Sequence, residues 1–292
     1  MTFGIITDSS SNLPEYLIDK YDLQVMALEF IVDGEIYYSY LKDSVTDGKQ
    51  FYDMMRDGKI IRTSLARIED AEKLLRTQFD KGLDVLYLGF DSALSSNYEI
   101  ISNHIETIAA TEYPERVLYC IDTKAAALGM GRLVLEAARR REAGQSLEDV
   151  AQWISENILS FAHWFTVDDL HFLQRGGRLS KGVAIAGTLL NIKPVLHVDD
   201  MGRLVPAIKV RGRKKSLVAL VEKFAETASE PKSEQFVAIS HGDCLEDAEY
   251  VADQLKERFG VSDVLIHYLD PVIGAHAGPG TVALFFSTDV QR

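Results

Sequence analysis

Phe3-Gly4-Ile5-Ile6-Thr7-Asp8-Ser9-Ser10-Ser11-Asn12-Leu13-Pro14 is the stretch that decides the fold class. Phe3 to Thr7 is an apolar run of strand length, and it stops at the small polar residues Asp8 to Asn12. Ser and Asn favour helix N-caps and Pro suits a first helical turn, so a helix is predicted to follow. A buried strand that passes through a polar turn into a helix is the start of an α/β unit.

The same alternation continues outward. Gln24 to Val32 and Glu35 to Tyr40 flank Asp33-Gly34, a dipeptide that favours a two-residue hairpin turn. Leu83 to Phe90 reads as a buried strand, followed by a Ser-rich loop and a helix from about Asn97. Arg116 to Ile121 is a further strand, and Ala125 to Ala143 a helix. Beyond residue 160 the texture changes. Trp164 to Val167 reads as a strand and Asp168 to Gln174 as a helix ended by Gly176-Gly177. Lys193 to Val198 and Leu204 to Val210 form a second hairpin across Asp200-Met201-Gly202. Helices over 214–228 and 245–258 and strands over 235–240, 262–268 and 281–287 complete the pattern. The expectation is an α/β protein of two domains, 1–160 and 161–292.

Composition bounds the function. A chain of 292 residues corresponds to roughly two domains. With 47% hydrophobic and 26% charged residues it can build ordinary cores. Its 31 Lys+Arg against 44 Asp+Glu give a net charge of −13, which repels nucleic acid and anionic membranes alike. Cys120 and Cys244 cannot make a disulfide framework and lack zinc-ligand spacing, so a reducing compartment is the simple reading. The N-terminus has no basic region and turns polar at once, unlike a signal peptide. No run approaches the roughly 18 apolar residues of a membrane span. A cytoplasmic protein is expected, with no nucleic-acid partner and no stable membrane insertion.

Candidate chemistry is sparse, and each signal has a purely structural counterpart. Gly129-Met130-Gly131 fails the dinucleotide fingerprint: Val134 stands at the third glycine position, inside a predicted helix, and helix packing is the better reading. Gly176 to Lys181 lacks the P-loop order. His241-Gly242-Asp243-Cys244 invites a Cys–His nucleophile, but a strand end, a turn and a helix N-terminus explain the same letters. The seven histidines are scattered and no H-E-x-x-H occurs, so no metal site or cofactor is predicted. Ser9 has no G-x-S-x-G elbow around it and reads as a turn or cap residue. Two hydroxyl clusters, Arg62-Thr63-Ser64 and Leu94-Ser95-Ser96-Asn97, precede helices predicted from near Ile68 and Asn97. Such hydroxyls either cap the helix or, with its free N–H groups, hold an anion; both clusters together could coordinate one carboxylate. Ile273-Gly-Ala-His276-Ala-Gly-Pro-Gly280 reads as a loop between strands whose glycines permit close approach or positive φ. His276 there is either solvated or set against an anion or polar head group.

In this order the motifs resemble the DegV family of bacterial fatty-acid-binding proteins over nearly the whole chain. The resemblance is carried by Thr7-Asp-Ser-Ser-Ser-Asn-Leu-Pro14, Thr63-Ser64, Ser95-Ser-Asn-Tyr98 and Val167-Asp-Asp-Leu-His-Phe-Leu-Gln-Arg-Gly-Gly-Arg-Leu179. Leu190-Asn-Ile-Lys-Pro194, Gly202, Lys209-Val-Arg-Gly212 and Ile273 to Gly280 extend it. It implies a two-domain α/β fold with a long-chain fatty acid such as palmitate between the domains, serving lipid transport or fatty acid metabolism. It also implies a non-catalytic protein whose bound acyl group is phosphorylated by a separate fatty acid kinase. The resemblance carries the carboxylate ligands onto Thr63 and Ser95, and supporting roles onto Arg178 and His276. Two stretches depart from the family pattern. Leu65-Ala66-Arg67 stands where the family has Gln-Pro-Ser, and Ser96 and Asn97 replace Gly and Thr.

A buried carboxylate needs hydrogen bonds or a cation, or it takes up a proton. Two hydroxyls and helix N-termini would supply the bonds, and a protonated His276 beside the anion is expected to have a raised pKa. Lys209 to Lys215 packs five basic residues into seven within an acidic chain. The resemblance matches this region to a face that docks on the kinase, which makes Arg211 and Arg213 candidate docking residues; a solvated surface is the alternative. The rival function is a hydrolase or transferase acting on a small carboxylate or acyl substrate, with Ser9 or Ser95 as nucleophile. A third reading is a ligand-sensing interaction protein.

Overall fold

The computed structural model describes residues 3–40, 42, 47–179 and 191–290; Lys181 and Leu190, named above, lie outside the described residues. The chain divides into two compact units, Met1–Thr46 with Arg62–Ile158, and Asp47–Ile61 with Leu159–Arg292.

In the first unit, β1 (Phe3–Asp8) leads through a 3₁₀ turn, Ser9–Ser11, to α1 (Glu15–Lys20) and β2 (Leu23–Met26). A hairpin follows, β3 (Glu29–Val32) and β4 (Glu35–Tyr38), and then α2 (Gly48–Arg56), which belongs to the second unit. The first unit resumes with β5 (Ile61–Thr63), α3 (Ile68–Asp80), β6 (Asp84–Gly89), α4 (Asn97–Glu112), β7 (Leu118–Asp122), α5 (Ala127–Glu142) and α6 (Leu147–Asn157). Its main sheet has the order β2-β1-β6-β7, and every pair is parallel. Alternation along the strands divides the core. Ile6, Val85 and Tyr87 pack with Leu75 and Phe79 of α3 and Ile101 and Ile105 of α4. Phe3 and Ile5 turn to the opposite face, which α5 covers.

The structure corrects the strand predicted over 24–32, which is two strands. At the break, the Leu28 N–H donates to Ser9 Oγ and the Leu28 carbonyl accepts from Ser39 Oγ, each at 3.0 Å. The chain thereby leaves the parallel sheet and joins a small sheet of order β4-β3-β5. Asp33 and Gly34 take φ of 53° and 91°, the positive values a primed hairpin turn requires. Asp8, rather than a Ser or Asn, caps the 3₁₀ turn, and Pro14 is the N-cap residue of α1.

The second unit contains β8 (Phe161–Thr166), α7 (His171–Arg175), β9 (Ile192–Val198), β10 (Leu204–Arg211), α8 (Arg213–Thr227), β11 (Phe236–His241), α9 (Leu245–Phe259), β12 (Asp263–Tyr268), α10 (Pro271–Ala277) and β13 (Val282–Ser287). They form one sheet, β10-β9-β8-β13-β11-β12, antiparallel except between β11 and β12. Leu220 and Phe224 of α8 and Val251 and Leu255 of α9 close one face over Val237, Ile239, Leu284 and Phe286. Helix α2 is held in this unit by buried Phe51 and Tyr52, whose hydroxyl donates to the Leu269 carbonyl at 3.1 Å, and by the ion pair of Arg56 with Asp243. The chain therefore crosses between units around residues 47–61 as well as near 160.

The segment 273–280 is also corrected: it is mostly helix rather than loop. Asp270 accepts from the Val272 N–H at 2.8 Å, Pro271 occupies the first turn, and Gly278 ends α10 at a φ of 88°. His276 therefore sits in the last turn of a short helix.

Candidate functional site

The order β2-β1-β6-β7 places a topological switch point between β1 and β6, since the chain leaves β1 toward β2 on one side and returns as β6 on the other. Open α/β sheets bind ligands at the carboxyl ends of the strands at such a point. Asp8 closes β1 there, and the loop carrying Ser95 follows β6. That loop is braced: Thr123 Oγ1 donates to the Gly89 carbonyl at 2.8 Å, Asp91 N–H to the Ala125 carbonyl at 3.2 Å, and Ser92 Oγ to Asp122.

Asp8 is fully buried, and its carboxylate gathers the surrounding donors. Oδ1 accepts from the Ser10 N–H at 3.0 Å and from Ser10 Oγ. Oδ2 accepts from the Phe90 N–H at 3.1 Å and Asn97 Nδ2 at 3.2 Å. Burial outweighs these bonds and pushes the Asp8 carboxyl up to about 6. The other end of the Asn97 amide accepts from the Ala66 N–H at 3.0 Å, so the turn after Thr63 is tied to the start of α4.

Thr63 ends β5 and Ser95 stands two residues before α4; both are half-buried and both belong to the first unit. Capping does not account for Thr63 and Ser64, because the N-cap residue of α3 is Arg67. It accounts in part for Ser95, whose Oγ accepts the Asn97 N–H at 3.2 Å. That bond uses the oxygen lone pair and leaves the hydroxyl hydrogen for another acceptor. Ser96 has φ −74° and ψ 4°, so a side chain where the family has glycine is accommodated without backbone strain.

The second unit holds Arg178 and His276 close together. His276 Nδ1 lies so near Gly176 that a Cβ there would collide with it, and Arg178 donates to the Gly176 carbonyl. The imidazole does not have the raised pKa expected from the sequence. Burial, with Arg178 and Arg175 alongside, pushes it down to about 4, so it is a neutral hydrogen-bonding ring at pH 7. Burial also lowers the pKa of Arg178. The glycines of this segment serve close approach: a Cβ on Gly274 would meet Tyr52, and one on Gly278 would meet Phe172.

Arg213 departs from its expected docking role. It begins α8 as predicted, but its guanidinium binds Asp247 at 2.8 Å and lies 3.6 Å from Asp168. These carboxylates, rather than a visiting anion, offset its unfavourable place in the first turn of a helix. Lys209, Arg211, Lys214 and Lys215 are the exposed members of the basic run. Lys209 and Arg211 project from β10, the edge strand, where charge and the register shift next to Pro206 also discourage strand addition.

A family model described as that of uncharacterised DegV family proteins matches residues 2–289. The chain belongs to the DegV family. A DegV domain-containing protein of Clostridium perfringens is 38% identical over 290 residues, covering 99% of each chain. Among solved structures, a DegV family protein from Thermus thermophilus described by its fatty acid binding matches with a TM-score of 0.87 at 30% identity, over 99% of this chain and 100% of that one. A fatty-acid-binding DegV family protein from Streptococcus agalactiae matches with a TM-score of 0.85 at 30% identity, over 99% of this chain and 100% of that one.

In this DegV protein the remaining sequence signals are structural. Ser9 Oγ accepts from Leu28 and shares a 2.6 Å hydrogen bond with Ser39 Oγ, which joins the exit of β1 to the small sheet. Cys244 is the N-cap residue of α9; its thiol donates to the Thr281 carbonyl at 3.3 Å, and burial pushes it up to about 12, far from a nucleophilic thiolate. Its neighbour His241 is pushed down to about 4 by burial. Gly131 lies inside α5 against the Ser11 carbonyl, as the packing reading of that glycine pair expects. Among the described residues, no cluster of three or more His, Cys, Asp or Glu could hold a metal, and no helix is long and apolar enough to cross a membrane. In the sequence Asp8 reads as a turn residue and Asn97 as a departure from the family pattern. A carboxylate at the carboxyl end of the first buried strand was the signal available.

Proposed function

We propose that this protein binds a long-chain fatty acid such as palmitate, with Thr63 and Ser95 as the hydrogen-bond donors to its carboxylate. The observation that carries the reading is the pair of hydroxyl-bearing turns at the switch point, held together through the Asn97 amide and the Ser95–Asn97 bond. The fatty acid binding described for the Thermus thermophilus and Streptococcus agalactiae relatives supports it. Arg178 and neutral His276 are proposed as supporting polar groups on the second unit. The protein works in the cytoplasm without a cofactor, contributes no catalytic step, and presents the acyl carboxylate to a separate fatty acid kinase. Exposed Lys209, Arg211, Lys214 and Lys215 supply the docking charge, with Arg211 taking the place of the Arg211–Arg213 pair.

The energetics suit a carrier. Removing about 14 methylenes from water at about 0.8 kcal/mol each gives on the order of 11 kcal/mol of gross driving force. Lost translational freedom and chain ordering offset much of it. Each hydroxyl bond to a charged acceptor adds about 1.5–3 kcal/mol. Thr63→Ala and Ser95→Ala should therefore each weaken binding of labelled palmitate roughly 10- to 150-fold without unfolding the protein. Solvent extraction and mass spectrometry of purified protein should find a stoichiometric fatty acid. Undiminished affinity in the double variant, at normal thermal stability, refutes the head-group assignment.

A further inference from the structure

Asn97 is fully buried at the first position of α4, and it bonds to three separate segments. Its backbone N–H donates to Ser95 Oγ at 3.2 Å, its Oδ1 accepts the Ala66 N–H at 3.0 Å, and its Nδ2 donates to Asp8 Oδ2 at 3.2 Å. The amide can face only one way. Asp8 already accepts from the Ser10 and Phe90 N–H groups, so the amide nitrogen must face the carboxylate and the oxygen is left for Ala66. Ala66 lies three residues after Thr63. One side chain thus fixes the turn that follows Thr63, and the same residue's backbone orients the Ser95 hydroxyl.

We propose that Asn97 is a positioning residue, which keeps the Ser95 turn and the Thr63–Ala66 turn in one register so that both hydroxyls address a single carboxylate. The proposal rests on the head-group reading above. In it Asp8 anchors the amide, and Asn97 itself does not touch the ligand.

The test is a cycle of variants: wild type, Asn97→Ala, Thr63→Ala/Ser95→Ala, and the triple variant. Each is titrated with palmitate carrying ¹³C at the carboxyl carbon, reading affinity and the carboxyl resonance. Asn97→Ala should lower affinity about tenfold and move the carboxyl resonance. The triple variant should bind as the Thr63→Ala/Ser95→Ala protein does. A residue that only stabilises the fold would lower affinity by the same factor in both backgrounds and leave the resonance in place, and that result overturns the proposal. Should Asn97→Ala fail to fold, Ala66→Pro, which removes the N–H that Asn97 accepts at a position where the family pattern has proline, is put through the same cycle. Wild-type protein that takes up no palmitate refutes the functional reading itself. Normal binding that Thr63→Ala/Ser95→Ala weakens and Asn97→Ala and Ala66→Pro leave untouched refutes only the positioning role.

Discussion

Raising the pH from 4 to 7 should withdraw stability from this protein at one buried carboxyl, Asp8. An exposed aspartate titrates near 3.8, whereas burial pushes Asp8 up to about 6 against the pull of Ser10, Phe90 and Asn97. A displacement of roughly two pKa units corresponds to about 3 kcal/mol between the protonation states, at about 1.36 kcal/mol per unit. The folded state holds the proton more tightly than the unfolded chain. The contribution is therefore fully present below about 3.8 and is lost as pH rises through about 6. The proton has a place to go. Ser10 Oγ also lies 3.3 Å from Met130 Sδ, so its hydrogen can turn to the sulfur while a protonated Asp8 Oδ1 donates to the serine oxygen. Oδ2 offers no such exchange, because both of its partners are N–H donors.

The chain carries 44 acidic residues, so the readout is the difference between wild type and Asp8→Asn, which keeps the shape and cannot ionise. Asparagine turns an N–H toward one pair of donors, and this offsets the variant by a constant at every pH. Unfolding in urea at closely spaced pH values should show the wild-type advantage falling by about 2–3 kcal/mol between pH 4 and 7, then staying flat. Carbon-detected titration of the Asp8 carboxyl should give its midpoint directly. An advantage that grows with pH would refute the reasoning, since it places the folded pKa below 3.8 and makes the four donors stronger than burial.

Two further outcomes follow from packing. Gly131→Ala should destabilise by about 1–3 kcal/mol in thermal or urea unfolding, because its Cβ meets the Ser11 carbonyl and Leu13; a gain near the roughly 1 kcal/mol that helix propensity alone predicts would contradict the contact. Cys120 and Cys244 should react with a thiol reagent at pH 8 far more slowly in the folded than in the unfolded chain, since burial raises both thiols. Rapid labelling of either cysteine in the native protein would show that its thiol is not buried as described.

What could be read ahead of the structure was local. Asp33-Gly34, the glycine pair after α7 and the Ser-rich loop before α4 announce turns because their backbone needs are set within a few residues. The DegV motifs are local in the same sense, and they carry the residues proposed for the head group, Thr63 and Ser95. The misreadings came from distant partners. Ala27-Leu28 looks like the middle of a strand until Ser9 and Ser39 take its backbone groups. Pro271 to Ala277 looks like a glycine-rich loop until Phe51 and Tyr52 arrive to fill the space beside Gly274. Arg213 looks like a free cation until Asp247 and Asp168, far along the chain, meet it. No window of neighbouring residues contains those partners.

The two departures from the family pattern show how such distant pairing changes a functional reading. Taken singly, Ala66 in place of proline and Asn97 in place of threonine each threaten the proposed head-group geometry. Together they compensate. Proline has no N–H, whereas Ala66 brings one into a position only 5% exposed. An unmet buried donor costs about 1–3 kcal/mol. Asn97, 31 residues away in sequence, supplies the carbonyl oxygen that meets it. Its amide nitrogen then lands on Asp8, already buried at the end of β1. One added donor and one added acceptor are thus resolved in a single bond, and the bond lies between the turns that carry Thr63 and Ser95. The substitutions that depart most from the family pattern are, in the fold, the pair that ties together the two turns proposed to hold the carboxylate.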